Sequence, residues 1–120
     1  MDAEDALRKE LRQFIGTLTY HLHPSGYLVY TDGVAFLAER ARLAWLIHLI
    51  AFWQPHALKD DWLREIQFWE LHVEDGKGTL TCLRDSDDVA FRQRLPKADS
   101  ALDYVRLYVQ NGVLMLPSEH

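Results

Sequence analysis

The side chains able to do chemistry lie in small, separated groups. His21 and His23 stand two apart. On a strand that spacing turns both imidazoles to one side, which makes a usable metal-ligand pair. A structural metal site takes about four ligands, and His56, His72 and Cys82 have no standard spacing to the pair. No metal and no cofactor is therefore expected, and the two histidines read as surface or loop residues. His48 sits inside an apolar run and reads as a core histidine bonded to backbone rather than as a general base. Cys82 falls on the inward row of a strand, the place of an inert core thiol. Ser118, Glu119 and His120 have the residue types of a triad. Three consecutive residues cannot place nucleophile, base and orienter as catalysis requires. No catalytic residue is assigned.

Carboxylates and aromatics form the next group. Thr31-Asp32-Gly33 is a helix opening that could face a phosphate or a metal, although capping accounts for Thr31 and Asp32 and turn geometry for Gly33. A small enzyme using this helix start and nearby histidines is one alternative function, and a structural homodimer another. Between Asp60 and Asp88 nine carboxylates face three cations, a net charge of −6. Trp62 and Phe68 fall on the polar side of their elements there. Exposed aromatics beside acidic side chains suit a protein-binding surface. The candidate binding residues are Asp60, Asp61, Trp62, Phe68, Asp87 and Asp88.

These residues need a scaffold, and the stretch from Tyr30 to Pro55 supplies its centre. A helix opens at Thr31 or Asp32, with Val34, Leu37, Ala38, Ala41 and Trp45 on one face. Glu39, Arg40 and Arg42 mark a polar side and a break. From Leu43 to Trp53 every residue but His48 is apolar, so Trp45, Leu46, Leu49 and Ile50 are expected in the core, and Pro55 ends the helix. That run is short of the roughly 20 residues that span a bilayer. Before it, Asp2 to Ile15 reads as an amphipathic helix stopped by Gly16, followed by strands over Thr17–Leu22 and Tyr27–Tyr30. Ala57–Glu65 reads as a short helix or structured loop.

From Ile66 the apolar period becomes two. Strands are expected over Ile66–Glu74, Thr79–Leu83, Val89–Leu95, Leu102–Val109 and Val113–Leu116, with turns at Asp75–Gly78, Asp85–Asp88 and Asn111-Gly112. Val89 and Phe91 are placed inward, Arg92 and Arg94 outward. Helices followed by antiparallel strands give an α+β fold in one domain over residues 1–120. The 48% hydrophobic and 26% charged content suits a globular chain, and the net charge of −5 argues against a nucleic-acid surface. The lone Cys82 permits no intrachain disulfide, and no signal peptide is visible, so a cytoplasmic location is expected.

Several clusters resemble a family of small uncharacterised proteins, a domain of unknown function found in bacterial and phage genomes. They are Leu11-Arg12-Gln13-Phe14 with Gly16-Thr17, Tyr30-Thr31-Asp32-Gly33-Val34, Leu37-Ala38-Glu39, Trp45-Leu46, Phe68-Trp69 with Leu71, and Leu116-Pro117-Ser118-Glu119. The chain departs from the pattern at Arg40–Leu43, where a glycine-containing helix junction is usual, and at Pro96–Ser100. The resemblance carries over no activity. It implies a non-enzymatic inhibitor or accessory factor from a mobile element, such as an anti-CRISPR protein. The acidity adds the expectation of a partner protein with a basic surface.

Overall fold

The computed structural model describes residues 2–15 and 19–120. Chain order is α1 (Ala3–Leu11), β1 (His21–Leu22), β2 (Val29–Tyr30), α2 (Asp32–Arg40), α3 (Ala44–Ala57), α4 (Asp61–Glu65), β3 (Ile66–Glu74), β4 (Lys77–Leu83), β5 (Val89–Leu95), β6 (Tyr104–Gln110) and β7 (Val113–Met115), closed by a 3-10 turn (Pro117–Glu119). This is the expected α+β arrangement. One sheet holds all seven described strands in the order β1-β2-β7-β6-β3-β4-β5. Neighbours run antiparallel except β2 and β7, which are parallel.

Among the described helices α1, α2 and α4 start at a capping side chain, whereas α3 follows Leu43 without one and rests on its apolar burial. Asp2 caps α1 by accepting from the Asp5 amide. The helix ends at Leu11 rather than Ile15, because the chain leaves the helical path and Phe14 turns onto Phe36 of α2, 5.1 Å between rings. Gly16, Thr17 and Leu18, expected to stop α1 and start a strand, lie outside the described residues. Thr31 caps α2 by accepting from the Val34 amide. At the break Arg42 adopts φ 59°, a left-handed conformation unusual for a residue with a Cβ.

In α3 the buried face is Leu46, Ile47, Ile50, Ala51, Gln54 and Ala57, a helical spacing that leaves Trp45 and Leu49 only partly buried and corrects their expected place in the core. Pro55 does not end α3. Its fixed φ fits the last turn, it forfeits one amide bond, and the helix runs on to Ala57.

The inward rows of the sheet carry Trp69, Leu71, Leu80, Cys82, Val105, Leu107 and Leu114, which join Leu7, Val34, Leu37, Leu46, Ile50 and Leu63 of the helices in one buried cluster. The opposite row of the central strands carries Phe68, Glu70, His72, Thr79, Thr81, Arg92, Arg94, Tyr104, Arg106 and Tyr108 by register. Phe68 and Tyr108 meet edge to face at 5.1 Å there, outside the buried cluster. A register slip beside Cys82 and Leu83 sets Val89 opposite Leu83, so Val89 is 41% exposed rather than inward. Asp75-Gly76 and Asn111-Gly112 both have positive φ at each residue, the signature of two-residue hairpins. The first turn is therefore tighter than expected, and β4 begins at Lys77.

Candidate interaction site

The acidic and aromatic candidates gather at one end of the sheet. There α4 feeds into β3, and β4 turns into β5. Asp60 caps α4: its Oδ1 accepts from the amides of Trp62 (2.9 Å) and Leu63 (3.3 Å). Its Oδ2 accepts from Arg84 Nε at 2.8 Å, and Arg84 Nη1 also reaches Asp88 Oδ1 at 3.3 Å. The hydrogen bond from Arg84 holds the Asp60 carboxyl below its usual range, aided by the two amides, and the same pair raises Arg84. Asp60, named above as a candidate binding residue, is therefore engaged as a cap and in an ion pair within the fold. Asp61 is exposed and pairs with Arg64. Asp85 and Asp87 are exposed in the β4–β5 turn, where the Asp85 side chain accepts from the Ser86 amide. Trp62 is 71% exposed on α4. Phe68 sits on the outer sheet face opposite Leu83, one residue before Arg84.

The other chemical groups go to separate partners. His21 Nε2 donates to Asp32 Oδ1 at 3.0 Å, whereas His23 Nε2 lies 2.8 Å from His48 Nδ1, so the pair does not converge on one point. Among the described residues no three histidine, cysteine or acidic side chains could hold a metal ion together. His48 is an exposed residue bonded to a side chain, which corrects its expected core position. His23 is the buried one, 8% exposed. The Ser25 amide donates to His23 Nδ1 at 3.1 Å, so the ring proton sits on Nε2 and points at His48. Burial, then the charge of His48, lowers the pKa of His23.

Cys82 is fully buried, and desolvation pushes its thiol up to about 12. Ser118 Oγ donates to the Leu11 carbonyl, Glu119 Oε1 accepts from Thr31 Oγ1 (2.7 Å) and the Leu116 amide (3.0 Å), and the His120 ring packs on Tyr108. Gly33 is not a turn residue but a helical one under close packing: a Cβ there would lie 2.6 Å from Glu119 Oε1. Thr31 is thus occupied by its cap and by Glu119, and Asp32 by His21 and the Thr19 amide.

Sequence reasoning missed the contact of Arg84 with Asp60 and Asp88, since nothing in the spacing of residues 24 apart marks it. It also missed the amide pair of Gln54 and Gln67, both fully buried, which exchange hydrogen bonds at 2.9 and 2.8 Å. Trp69 Nε1 donates to the same Gln67 oxygen at 2.8 Å.

A family model described as a family of unknown function (DUF6876) matches residues 5–120. No curated protein and no solved structure matches the chain.

Proposed function

We propose, from the premise that the chain belongs to this family of unknown function, that it is a non-enzymatic protein-binding protein whose acidic end meets a basic surface on its partner. The observation that carries this reading is Trp62, 71% exposed at an end of the sheet where Asp60, Asp61, Glu65, Asp85, Asp87 and Asp88 are opposed by Arg64 and Arg84. Excess carboxylates steer a basic partner into encounter, and a large aromatic at the centre resists dissociation once water is excluded. Surfaces that hold phosphate backbones are basic, so an inhibitor of a nucleic-acid-handling defence complex in the cytoplasm is the specific form proposed. The resemblance to proteins of phage and bacterial genomes supports that form.

The test measures association with a partner isolated by crosslinking through position 62. Reversing Asp61, Asp85 and Asp87 to lysine should slow association at low salt and flatten its salt dependence, with thermal stability kept. Asp60 is left intact because it caps α4 and pairs with Arg84. Trp62→Ala should instead raise the dissociation rate, by about tenfold or more for an anchor worth about 2 kcal/mol. Unchanged association of the reversed variant at low salt overturns the acidic-end reading.

A further inference from the structure

We propose that the cleft between α1 and the free edge of β6 binds an extended segment of a partner protein, apolar and acidic at alternate residues, as an added strand. The argument begins with the backbone. Val73 and Asn111 amides donate to Asp103 and Glu65 carbonyls, which fixes the odd-numbered residues of β6 as those bonded to β3. The amide and carbonyl groups of Tyr104 and Arg106 therefore point the other way, toward the side where β7 lies. But β7 ends at Met115, whose partner is Tyr108. In the continued register Pro117 would stand opposite Arg106, and it has no N–H to give. The chain turns off into the 3-10 turn, leaving two residues of β6 edge unpaired among the described residues.

A cavity of about 380 Å³ opens at that place, bounded by α1, the edge of β6 and the 3-10 turn. Its apolar lining includes Leu11, Leu37, Val105 and Leu116, and Arg12 stands at its rim, exposed and with no ion pair among the described residues. On the outer side Arg106 lies over the Phe68 and Tyr108 rings, at 5.6 and 5.3 Å, with its Nε buried and lacking a hydrogen-bond acceptor. A strand laid along Tyr104–Arg106 satisfies each of these groups at once. Its backbone bonds the two free peptide units. Its side chains alternate, one onto the apolar lining and the next onto Arg106. The ligand is accordingly an extended peptide with apolar and acidic residues in alternation. This site touches the candidates of the acidic end at Phe68, beneath Arg106, but the proposal does not rest on the reading given for that end.

The probes are acetyl-Leu-Glu-Leu-Glu-amide, its Leu-Gln-Leu-Gln counterpart and decanoate, followed by amide NMR and hydrogen exchange on the full chain. The acidic peptide at about 1 mM should shift the Tyr104 and Arg106 amides and slow their exchange. Arg106→Gln should weaken the acidic peptide by about threefold to fivefold, the worth of a partly exposed ion pair, and leave the glutamine peptide unchanged. Arg12→Glu, at an exposed position, should weaken the acidic peptide with the fold intact. No response at Tyr104 and Arg106 overturns the proposal. So does equal loss of both peptides on Arg106→Gln, or decanoate binding as tightly as the peptide, which would make the cleft a site for fatty carboxylates.

Discussion

The reciprocal amides of Gln54 and Gln67 are polar groups buried in the core, where a lost partner is not replaced by water. Each also donates to a backbone carbonyl, Ile50 for Gln54 and Leu63 for Gln67, so their buried side-chain N–H groups are used. Gln67→Leu strands Gln54 and the Trp69 indole together and should cost about 2–4 kcal/mol in chemical denaturation. Adding Gln54→Leu should cost less than the sum of the single changes, because the second residue has already lost its partner; strict additivity would show that the two amides act independently. His23 gives a pH dependence. Its folded pKa lies below the ordinary 6.5, so the neutral ring contributes stability that is full above that value and is lost as pH falls through the lowered one. Melting temperature should therefore drop from about pH 7 to about pH 5, and His48→Ala should shrink the drop by removing the second charge. A flat profile would mean that His23 stays accessible to a proton. Neither pair was legible in the sequence. Partners 13 and 25 residues apart leave no local mark, and histidine near an apolar run reads the same whether it is buried or not.

At the scale of elements, Arg42 joins α2 to α3 in a left-handed conformation that glycine adopts without a Cβ clash. Its side chain pairs with exposed Asp99, 3.1 Å away, a surface pair of small value. Arg42→Gly should therefore stabilise the protein, by about 0.5–1 kcal/mol in equilibrium unfolding; destabilisation would show that the Asp99 contact outweighs the backbone strain. The sequence marked this place, since the expected glycine is missing there. Helices α2 and α3, the strand run from Ile66 to Leu95 and the two-residue turn at Asn111-Gly112 were also legible, because apolar period and turn chemistry agree within each segment. The failures came where long-range packing overrode a local signal. Pro55 remains helical inside a turn held by Leu58 N to Gln54 O. Val89 is turned outward by a slip that periodicity does not encode.

Across the whole molecule, the sheet joins distant parts of the chain. Hairpins fix β3-β4-β5 and β6-β7, as their turns announce, but β2 lies parallel to β7, pairing Val29 with Val113, and no sequence pattern marks that choice. The candidate site was half legible for the same reason: its acidic and aromatic residues could be named, while the Arg84 contact that ties Asp60 to Asp88 needed the assembled sheet. The closure is reinforced at Glu119, whose carboxylate binds Thr31 Oγ1 and the Leu116 amide beneath the start of α2. Glu119→Ala should cost about 1–3 kcal/mol by thermal or chemical denaturation; a neutral result would mean that water replaces the carboxylate freely. This closure has a consequence for synthesis. Residues 113–119 leave the ribosome well after α2, yet they supply the strand beside β2 and the floor under Gly33. The nascent amino-terminal half must wait, incompletely folded and open to chaperones and proteases, until those residues emerge. A product broken off before Val113 would lack the strand that pairs with β2 and the carboxylate that binds Thr31, which would leave its amino-terminal part open to degradation.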